Sequence, residues 1–311
     1  MAKGSGYRKA VLIGDHFILY GVPAIVAALP FQTIATVERI DEKGWVLEDN
    51  HAVMLGYKKG ENTRQTESIS RMLEAMQIDV QKNPIKITFG GDFLPGSGLG
   101  ASAAGCVSLV KALNEEFNLR LSIEEINHIS CQGEIPYHGE PSGVDNTASN
   151  YGGIIWYQVE GEQKYFENLK TEIPIHFVLG NSGVITDTSE LGPYTDELQE
   201  KDPELFDRRL NTIKNQVYEM KDRLVAKDLE KVGSIMTENQ KILYDMGLSH
   251  ERIDFLCNLA LSKGALGAKV TGGGRGGYMI AVAPDAKCQE AIASAMEKEK
   301  YTAIQATLPV P

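Results

Sequence analysis

Three glycine-rich segments constrain what this chain can fold into more than any other feature. They lie at 90–100, 139–153 and 264–277, and they hold a large part of the 31 glycines. Glycine loses more conformational freedom on folding than any other residue, so the five glycines among the six residues of 272–277 do not serve stability. We expect the backbone of this third segment to approach closely either a ligand or the first segment.

The first segment reads PGSGLGASAA from 95 to 104 and lies between a strand-like pattern at 85–89 and a helix. Apolar residues at helical spacing indicate that helix: Cys106, Val110, Leu113 and Phe117. A glycine loop at a helix N-terminus offers unpaired N–H groups to a phosphate, and Ser102 adds a hydroxyl that can reach a phosphate or its metal. A phosphate cradle, a dinucleotide loop of the form Gly-x-Gly-x-x-Ala and a structural turn all stay open. A Walker A loop is excluded, because no Lys-Ser or Lys-Thr follows Gly100.

Two carboxylates accompany the second segment. Glu134 ends a predicted helix that opens with a capping box at Ser122, and Asp145 lies in a loop rich in glycine and proline. Phosphoryl transfer uses such a pair, because one carboxylate binds Mg²⁺ while the other takes a hydroxyl proton or orients the nucleophile. The alternative is an exposed turn with ordinary acidic residues.

The N-terminal segment places charged residues on both sides of a strand-like run. Lys9 precedes the run, and Asp15 and His16 follow it. On its own, His16 is compatible with a structural role as well as with a catalytic one.

The charge balance limits the class of partner. The formal net charge is −11, with 42 acidic against 31 basic residues, which argues against nucleic acid because such binding uses clustered cations. Small anionic ligands are compatible with this charge, since backbone N–H groups bind them locally.

The longest apolar runs, such as 24–29, are far shorter than the roughly 20 residues of a membrane span. No signal-type region follows Met1–Lys9, so we expect a cytoplasmic chain with no membrane partner.

The cysteines give no sign of a metal site or a disulfide framework. They form no C-x-x-C pair and have no histidine at zinc-like spacing. Free cysteine is among the most buried residue types, so we expect small buried thiols at all four positions: Cys106, Cys131, Cys257 and Cys288.

Strand patterns are denser in the first half of the chain and helical patterns in the second. This indicates an α+β protein of two subdomains, with the change near 165–175 and a cleft as the natural place for a site. Strands are predicted near 10–14, 23–29, 31–38, 44–48, 85–90, 153–159, 174–180 and 277–283. Helices are predicted after the first glycine segment and at 122–134, 202–224, 228–245, 249–263 and 285–298.

Taken together, these segments resemble the GHMP kinases, a superfamily named for galactose, homoserine, mevalonate and phosphomevalonate substrates. Pro95–Ala104 is similar to the second motif of the family, PxGxGLGSSAA, and Lys269–Gly277 is similar to its third, KxTGAGGGG. The order of the two motifs is more specific than either one. Within the superfamily, Lys9–Ala24, Gln132–Glu134 and Pro141–Asn146 most resemble the mevalonate kinase family.

The resemblance implies a two-subdomain GHMP kinase fold with the active site in the cleft between the subdomains. Residues 1–168 would form an N-terminal ATP-binding domain of the ribosomal-protein-S5-like domain 2 type, and 169–311 a C-terminal ferredoxin-like α/β sandwich. The implied activity is an ATP- and Mg²⁺-dependent kinase of isoprenoid biosynthesis. It would phosphorylate the 5-hydroxyl of (R)-mevalonate to give 5-phosphomevalonate and ADP. A homodimer is a further expectation from the family.

The resemblance also implies roles for individual residues. Asp145 would take the proton of the acceptor hydroxyl with Lys9 close by, and Ser102 and Glu134 would bind Mg²⁺. The acceptor would contact Lys9, Asp15, His16, Asp145, Thr188 and Thr271. ATP would be bound by the first glycine segment, at Pro95, Gly96, Ser97, Gly98, Leu99, Gly100, Ala101, Ser102 and Ala103.

Four departures from the family patterns bear on the acceptor. Gly6-Tyr7-Arg8 stands for the usual Ala-Pro-Gly, Asp15 for Glu, Ala101 for the first Ser of a pair, and Arg275 for a glycine. Because Asp15 is shorter and Arg275 adds a cation, the acceptor could be a phosphorylated or longer acid.

Two alternatives therefore accompany the mevalonate interpretation. One is another GHMP kinase, acting on phosphomevalonate, another mevalonate hydroxyl or a sugar. The other is a non-catalytic sensor of ATP and a metabolite on the same fold. The presence of Lys9, Ser102, Glu134 and Asp145 argues against the sensor, which needs no base.

Overall fold

The computed structural model describes residues 1–49, 58–92, 98–185 and 191–308. The chain divides into two compact units, each built from segments that alternate along the sequence. The first unit comprises Met1–Lys9, Phe31–Pro95 and Gly100–Gly152, and the second comprises Ala10–Pro30, Gly96–Leu99 and Gly153–Pro311. The linear domain boundary at 168 stays a prediction.

The described residues contain helices together with mostly antiparallel strand pairs, as in an α+β protein. The strands are β1 (Ala2–Ile13), β2 (Ala24–Arg39), β3 (Trp45–Asp49), β4 (Ile85–Gly91), β5 (Ile154–Glu160), β6 (Gln163–Leu169), β7 (Ile175–Asn181), β8 (Gly267–Val270), β9 (Tyr278–Ala283) and β10 (Ala303–Leu308). The helices are α1 (Lys58–Ala75), α2 (Ala101–Phe117), α3 (Ile123–His138), α4 (Val144–Tyr151), α5 (Leu191–Lys201), α6 (Pro203–Val225), α7 (Leu229–Asp245), α8 (Glu251–Ser262) and α9 (Ala286–Lys298). A 3₁₀ turn, Asp15–Tyr20, follows β1.

In the first unit, three helices share a core with a small sheet. β3 runs parallel to β4, and β4 runs antiparallel to the second part of β2. Alternate residues of a strand point to the same face, which is why β4 buries Ile85, Ile87 and Phe89 together. These side chains pack with residues of α1, α2 and α3, including Ile69, Met72, Leu109, Leu113 and Ile129.

Two glycines bring β1 against α2 in the same unit. A Cβ at Gly4 would overlap the Ser108 carbonyl oxygen, and a Cβ at Gly6 would overlap that of Ala104. The backbones therefore meet directly, and Gly6 belongs to the triplet that departs from the family pattern. Lys9 follows Gly6 by three residues in the same strand, so the close approach also brings Lys9 near the start of α2.

In the second unit, four strands form an antiparallel sheet in the order β10-β7-β9-β8. Along the chain, β7 leads through helices to β8, and β9 leads through α9 to β10, which is the ferredoxin-like succession. The predicted C-terminal fold is thus confirmed. The unit also contains the first part of β2, which pairs antiparallel with β5, and β6, which pairs antiparallel with β5.

Periodicity predicted most elements and missed the weakly patterned ones. The two strands predicted at 23–29 and 31–38 are one, β2, in which Pro30 lies between the stretch paired with β5 and the stretch paired with β4. Six elements were not predicted: α1, α4, α5, β6, β8 and β10. In the described ranges, no helix has the length and hydropathy that crossing a membrane requires.

Candidate active site

Lys9 and Asp145 form an ion pair in the first unit. Lys9 Nζ lies 3.0 Å from Asp145 Oδ2, and the two side chains are 6% and 25% exposed. The sequence predicted Asp145 in a loop, which is wrong: it lies in the first turn of α4, a helix that begins after Gly143. Partial positive charge at a helix N-terminus stabilises a carboxylate there. The carboxylate of Asp145 is thus held by the ammonium group of Lys9 and by the partial positive charge at the start of α4.

Gly100 makes room for the Lys9 side chain. A Cβ at this position would lie 2.7 Å from Lys9 Cγ and 3.0 Å from Cε, so the lysine stem rests directly on the glycine. Gly100 also has a left-handed conformation, with φ 66°, at the N-cap of α2. The first glycine segment therefore positions a candidate catalytic group as well as opening a helix.

Glu134 is a buried carboxyl group beside this pair. It is 1% exposed, and the Ser102 hydroxyl hydrogen-bonds it from the start of α2. Burial, followed by the charge of Asp145, raises the pKa of Glu134 to about 8, while Ser102 and Lys9 act in the opposite direction. The positive charge around the carboxyl group is therefore too small to keep it ionised easily. A bound cation would supply the missing positive charge.

The donors in this cluster fit Mg²⁺. Ser102 and Glu134 offer oxygen ligands, and Mg²⁺ typically takes one or two carboxylates together with substrate phosphates and water. Across the described ranges, no group of three or more His, Cys, Asp or Glu side chains could hold a metal ion by itself. The protein would thus contribute only some of the Mg²⁺ ligands, and a phosphate substrate and water would contribute the others.

His138 lies one helical turn after Glu134, because α3 continues past Pro136. Its Nε2 is 3.6 Å from Glu134 Oε2. Burial lowers the pKa of His138, so the ring is neutral and the contact is not a strong ion pair. Sequence reasoning missed this residue, although its i,i+4 spacing from Glu134 was a usable signal.

In the second unit, Asp15 is paired with a buried lysine. Lys269 Nζ donates to Asp15 Oδ1 and Oδ2 at 2.9 and 2.7 Å, and to the Val270 carbonyl at 2.6 Å. The side chains of Lys269 and Asp15 are 0% and 4% exposed. All three ammonium hydrogens are therefore used, which is what a buried lysine requires.

In the same unit, Thr271 and Gly272 of the third glycine segment contact Val11 and Gly98. The Thr271 hydroxyl accepts from Val11 N at 2.7 Å and donates to Val11 O at 3.0 Å. A Cβ at Gly272 would lie 3.2 Å from the Gly98 carbonyl oxygen. This confirms the expected close approach between the third and first glycine segments.

His16 carries an unsatisfied polar atom in the second unit. Its Nε2 is buried and has no hydrogen-bond partner among the residues that the structure describes. Burial lowers the pKa of His16, against a smaller effect of Asp196. A buried ring nitrogen without a partner is costly unless a ligand binds it. Among the described residues that were predicted to contact the acceptor, His16 is therefore the one most open to a ligand.

The structure describes some of the predicted ATP-binding and acceptor-binding residues and not others. Pro95, Gly96, Ser97 and Thr188 lie outside the described residues. Leu99 and Ala103 are buried, whereas Ala101, the first residue of α2, is exposed. Gly98 and Gly100 both have positive φ, 98° and 66°.

Two protein-family models match this chain. "GHMP kinases N terminal domain" matches residues 67–153, and "GHMP kinases C terminal" matches residues 220–303. Together the matches span more than half of the chain, in the order that the sequence motifs predicted. The chain belongs to the GHMP kinases.

Proteins that are similar along almost the whole chain show which GHMP kinase family it belongs to. "Mevalonate kinase" of Pyrococcus furiosus is 32% identical over 310 residues, covering 93% of this chain and 91% of its own. "Mevalonate kinase" of Thermococcus sibiricus is 30% identical, with the same coverage of 93% and 91%. The crystal structure of L. major mevalonate kinase in complex with R-mevalonate superposes with a TM-score of 0.91 at 28% identity, over 99% of this chain and 95% of that one. Within the GHMP kinases, the chain belongs to the mevalonate kinase family.

Proposed function

We propose that this protein transfers the γ-phosphate of ATP to the 5-hydroxyl of (R)-mevalonate, giving 5-phosphomevalonate and ADP. The observation that carries the proposal is the 3.0 Å pair of Lys9 and Asp145, which provides a charged base in the unit that also holds the buried Glu134. Membership of the mevalonate kinase family supports the choice of acceptor.

Asp145 acts as the general base. Its carboxylate accepts the hydroxyl proton while the acceptor oxygen bonds to the γ-phosphorus and the bond to ADP breaks, so that ADP leaves with the electron pair. Lys9 orients Asp145 and stabilises the negative charge that develops on the transferred group. The N–H groups at the start of α2 bind ATP phosphates, within the segment that we propose contacts ATP, 95–103.

Ser102 and Glu134 would hold Mg²⁺, which neutralises phosphate charge when it is bound. Among the acceptor-side residues, His16 has a ring nitrogen available for a ligand. Asp15 and Thr271 are engaged with Lys269 and Val11, so we propose that they act mainly by positioning.

An ADP-release assay with purified protein tests this function against mevalonate, phosphomevalonate, galactose and homoserine. We expect turnover with (R)-mevalonate that disappears when Mg²⁺ is chelated. Activity with phosphomevalonate alone would reassign the acceptor. No ADP above background with any of the four would favour the sensor. Light scattering of the same sample tests the homodimer that the family predicts.

A further inference from the structure

A buried chain of contacts connects three helices behind Glu134. Ser68 of α1 donates its hydroxyl to the Gly133 carbonyl of α3 at 2.6 Å, and its oxygen lies 3.4 Å from Cys106 Sγ of α2. Cys106 Sγ in turn lies 3.8 Å from Glu134 Oε1. Ser68, Cys106 and Glu134 are only 2%, 3% and 1% exposed, so water does not compete for these contacts.

The chemistry of each group sets the direction of these hydrogen bonds. The Ser68 hydroxyl has one hydrogen, which the short bond to Gly133 uses. The neutral thiol of Cys106 also has one hydrogen. A protonated thiol is a donor, and Glu134 Oε1 is the carboxyl acceptor within its reach.

Helix α2 contacts the carboxyl group of Glu134 through two residues, and α1 and α2 both pack against the backbone beside it. Cys106 lies one turn after Ser102 on α2, so both residues contact Glu134 from one face of one helix. A Cβ at Gly133 would lie 2.7 Å from Met72 Sδ and 2.9 Å from Cys106 Sγ. The backbone that carries Glu134 is therefore pressed against α1 and α2.

We propose that Cys106 is a positioning residue for the metal site: its thiol holds Oε1 of Glu134 and fixes the orientation in which the carboxylate meets Mg²⁺, while Ser68 holds the neighbouring Gly133 backbone. This inference rests on the proposed function, because it takes Glu134 as a metal ligand. Groups that orient metal ligands are typically worth about 10–100-fold in metal affinity. Because a thiol is a weak donor, we expect the loss of the Cys106 thiol to lower the metal affinity about ten-fold, at the low end of this range.

Mn²⁺ binding to the full-length protein in the presence of ADP tests the proposal, with free Mn²⁺ measured by electron paramagnetic resonance. Cys106→Val keeps an apolar side chain of similar size but has no donor, and we expect its Mn²⁺ affinity to fall about ten-fold. Cys106→Ser keeps a donor and should stay within about three-fold of the wild type. Cys257→Val is the matched control, because Cys257 is equally buried at 3% exposure but lies in the second unit. Its Mn²⁺ affinity should not change.

Wild-type Mn²⁺ affinity in a folded Cys106→Val would overturn the proposal. An equal loss in Cys106→Ser would also overturn it, since the effect would then come from packing. Urea unfolding establishes whether each variant folds. If Cys106→Val does not, Cys106→Ala decides: about ten-fold weaker Mn²⁺ binding is expected, and unchanged binding overturns the proposal. A wild-type protein that neither binds Mn²⁺ with ADP nor releases ADP contradicts the proposed function instead.

Discussion

Replacing Gly100 by alanine tests how the first glycine segment positions Lys9. Gly100 has φ 66°, a conformation that costs an L-residue roughly 1–2 kcal/mol. The new Cβ would lie 2.7 Å from Lys9 Cγ. Because non-bonded carbons rest about 3.5–4.0 Å apart, the lysine stem must move by about 1 Å. Both the stability and the position of the ammonium group are therefore affected.

The two effects can be separated. A displacement of about 1 Å in a reacting group costs up to about 10²-fold in rate, so we expect kcat of Gly100→Ala to fall by about that factor. Gly161→Ala is the matched control, since Gly161 has φ 60° and a Cβ there would meet nothing within 4 Å. It should lose roughly 1–2 kcal/mol of stability but keep wild-type turnover.

The assay is ADP release at saturating ATP and mevalonate, with urea unfolding of the wild type and both variants. Gly100→Ala should lose at least as much stability as Gly161→Ala, because it shares the backbone cost and adds the contact with Lys9, and the two variants should differ in kcat. If the two variants turned over equally fast, the position of Lys9 would not depend on Gly100, and the reasoning would be refuted.

Three further substitutions probe the site. Asp145→Asn removes the proposed base, so kcat should fall by at least about 10²-fold with little change in ATP affinity; near-normal turnover would remove Asp145 from this role. Glu134→Gln should fold normally, because burial already favours the uncharged carboxyl group, but should need more Mg²⁺ for half-maximal activity. An unchanged Mg²⁺ titration would reject Glu134 as a ligand. Arg275→Gly should leave the preference for mevalonate over phosphomevalonate unchanged, and a measurable shift in the ratio of kcat/KM would assign Arg275 to the acceptor.

The sequence predicted the elements whose pattern reflects one-sided burial. In α6, Phe206, Ile213 and Val217 recur at helical spacing and are buried. β6 could not be found in this way, since all but the last of its residues are exposed and no alternation marks it. Likewise, α4 has eight residues and its start at Gly143 resembles a loop. Periodicity detects a buried face, so an edge strand or a single pair of turns escapes it.

The members of the candidate site were easier to predict than their contacts. Glycine spacing and the family resemblance pointed to Lys9, Ser102, Glu134 and Asp145, which the first unit contains. The partners of these residues were not predictable, because no local pattern records a contact between distant residues. Ser68 and Cys106 are 38 residues apart, and they touch only because α1 and α2 both pack on α3.

The two departures that suggested a different acceptor are both accommodated within the second unit. Asp15 is shorter than the glutamate of the family, yet Lys269 engages both of its carboxylate oxygens in a buried pair, so it offers no unbalanced charge. Arg275 keeps a left-handed backbone, φ 60°, where the family has glycine, and its guanidinium carbon lies 4.5 Å from the ring centroid of Tyr194. An arginine placed on an aromatic ring is held by that contact. Neither substitution therefore requires a phosphorylated or longer acceptor, and the two residues that seemed to argue against mevalonate are explained by contacts inside the protein.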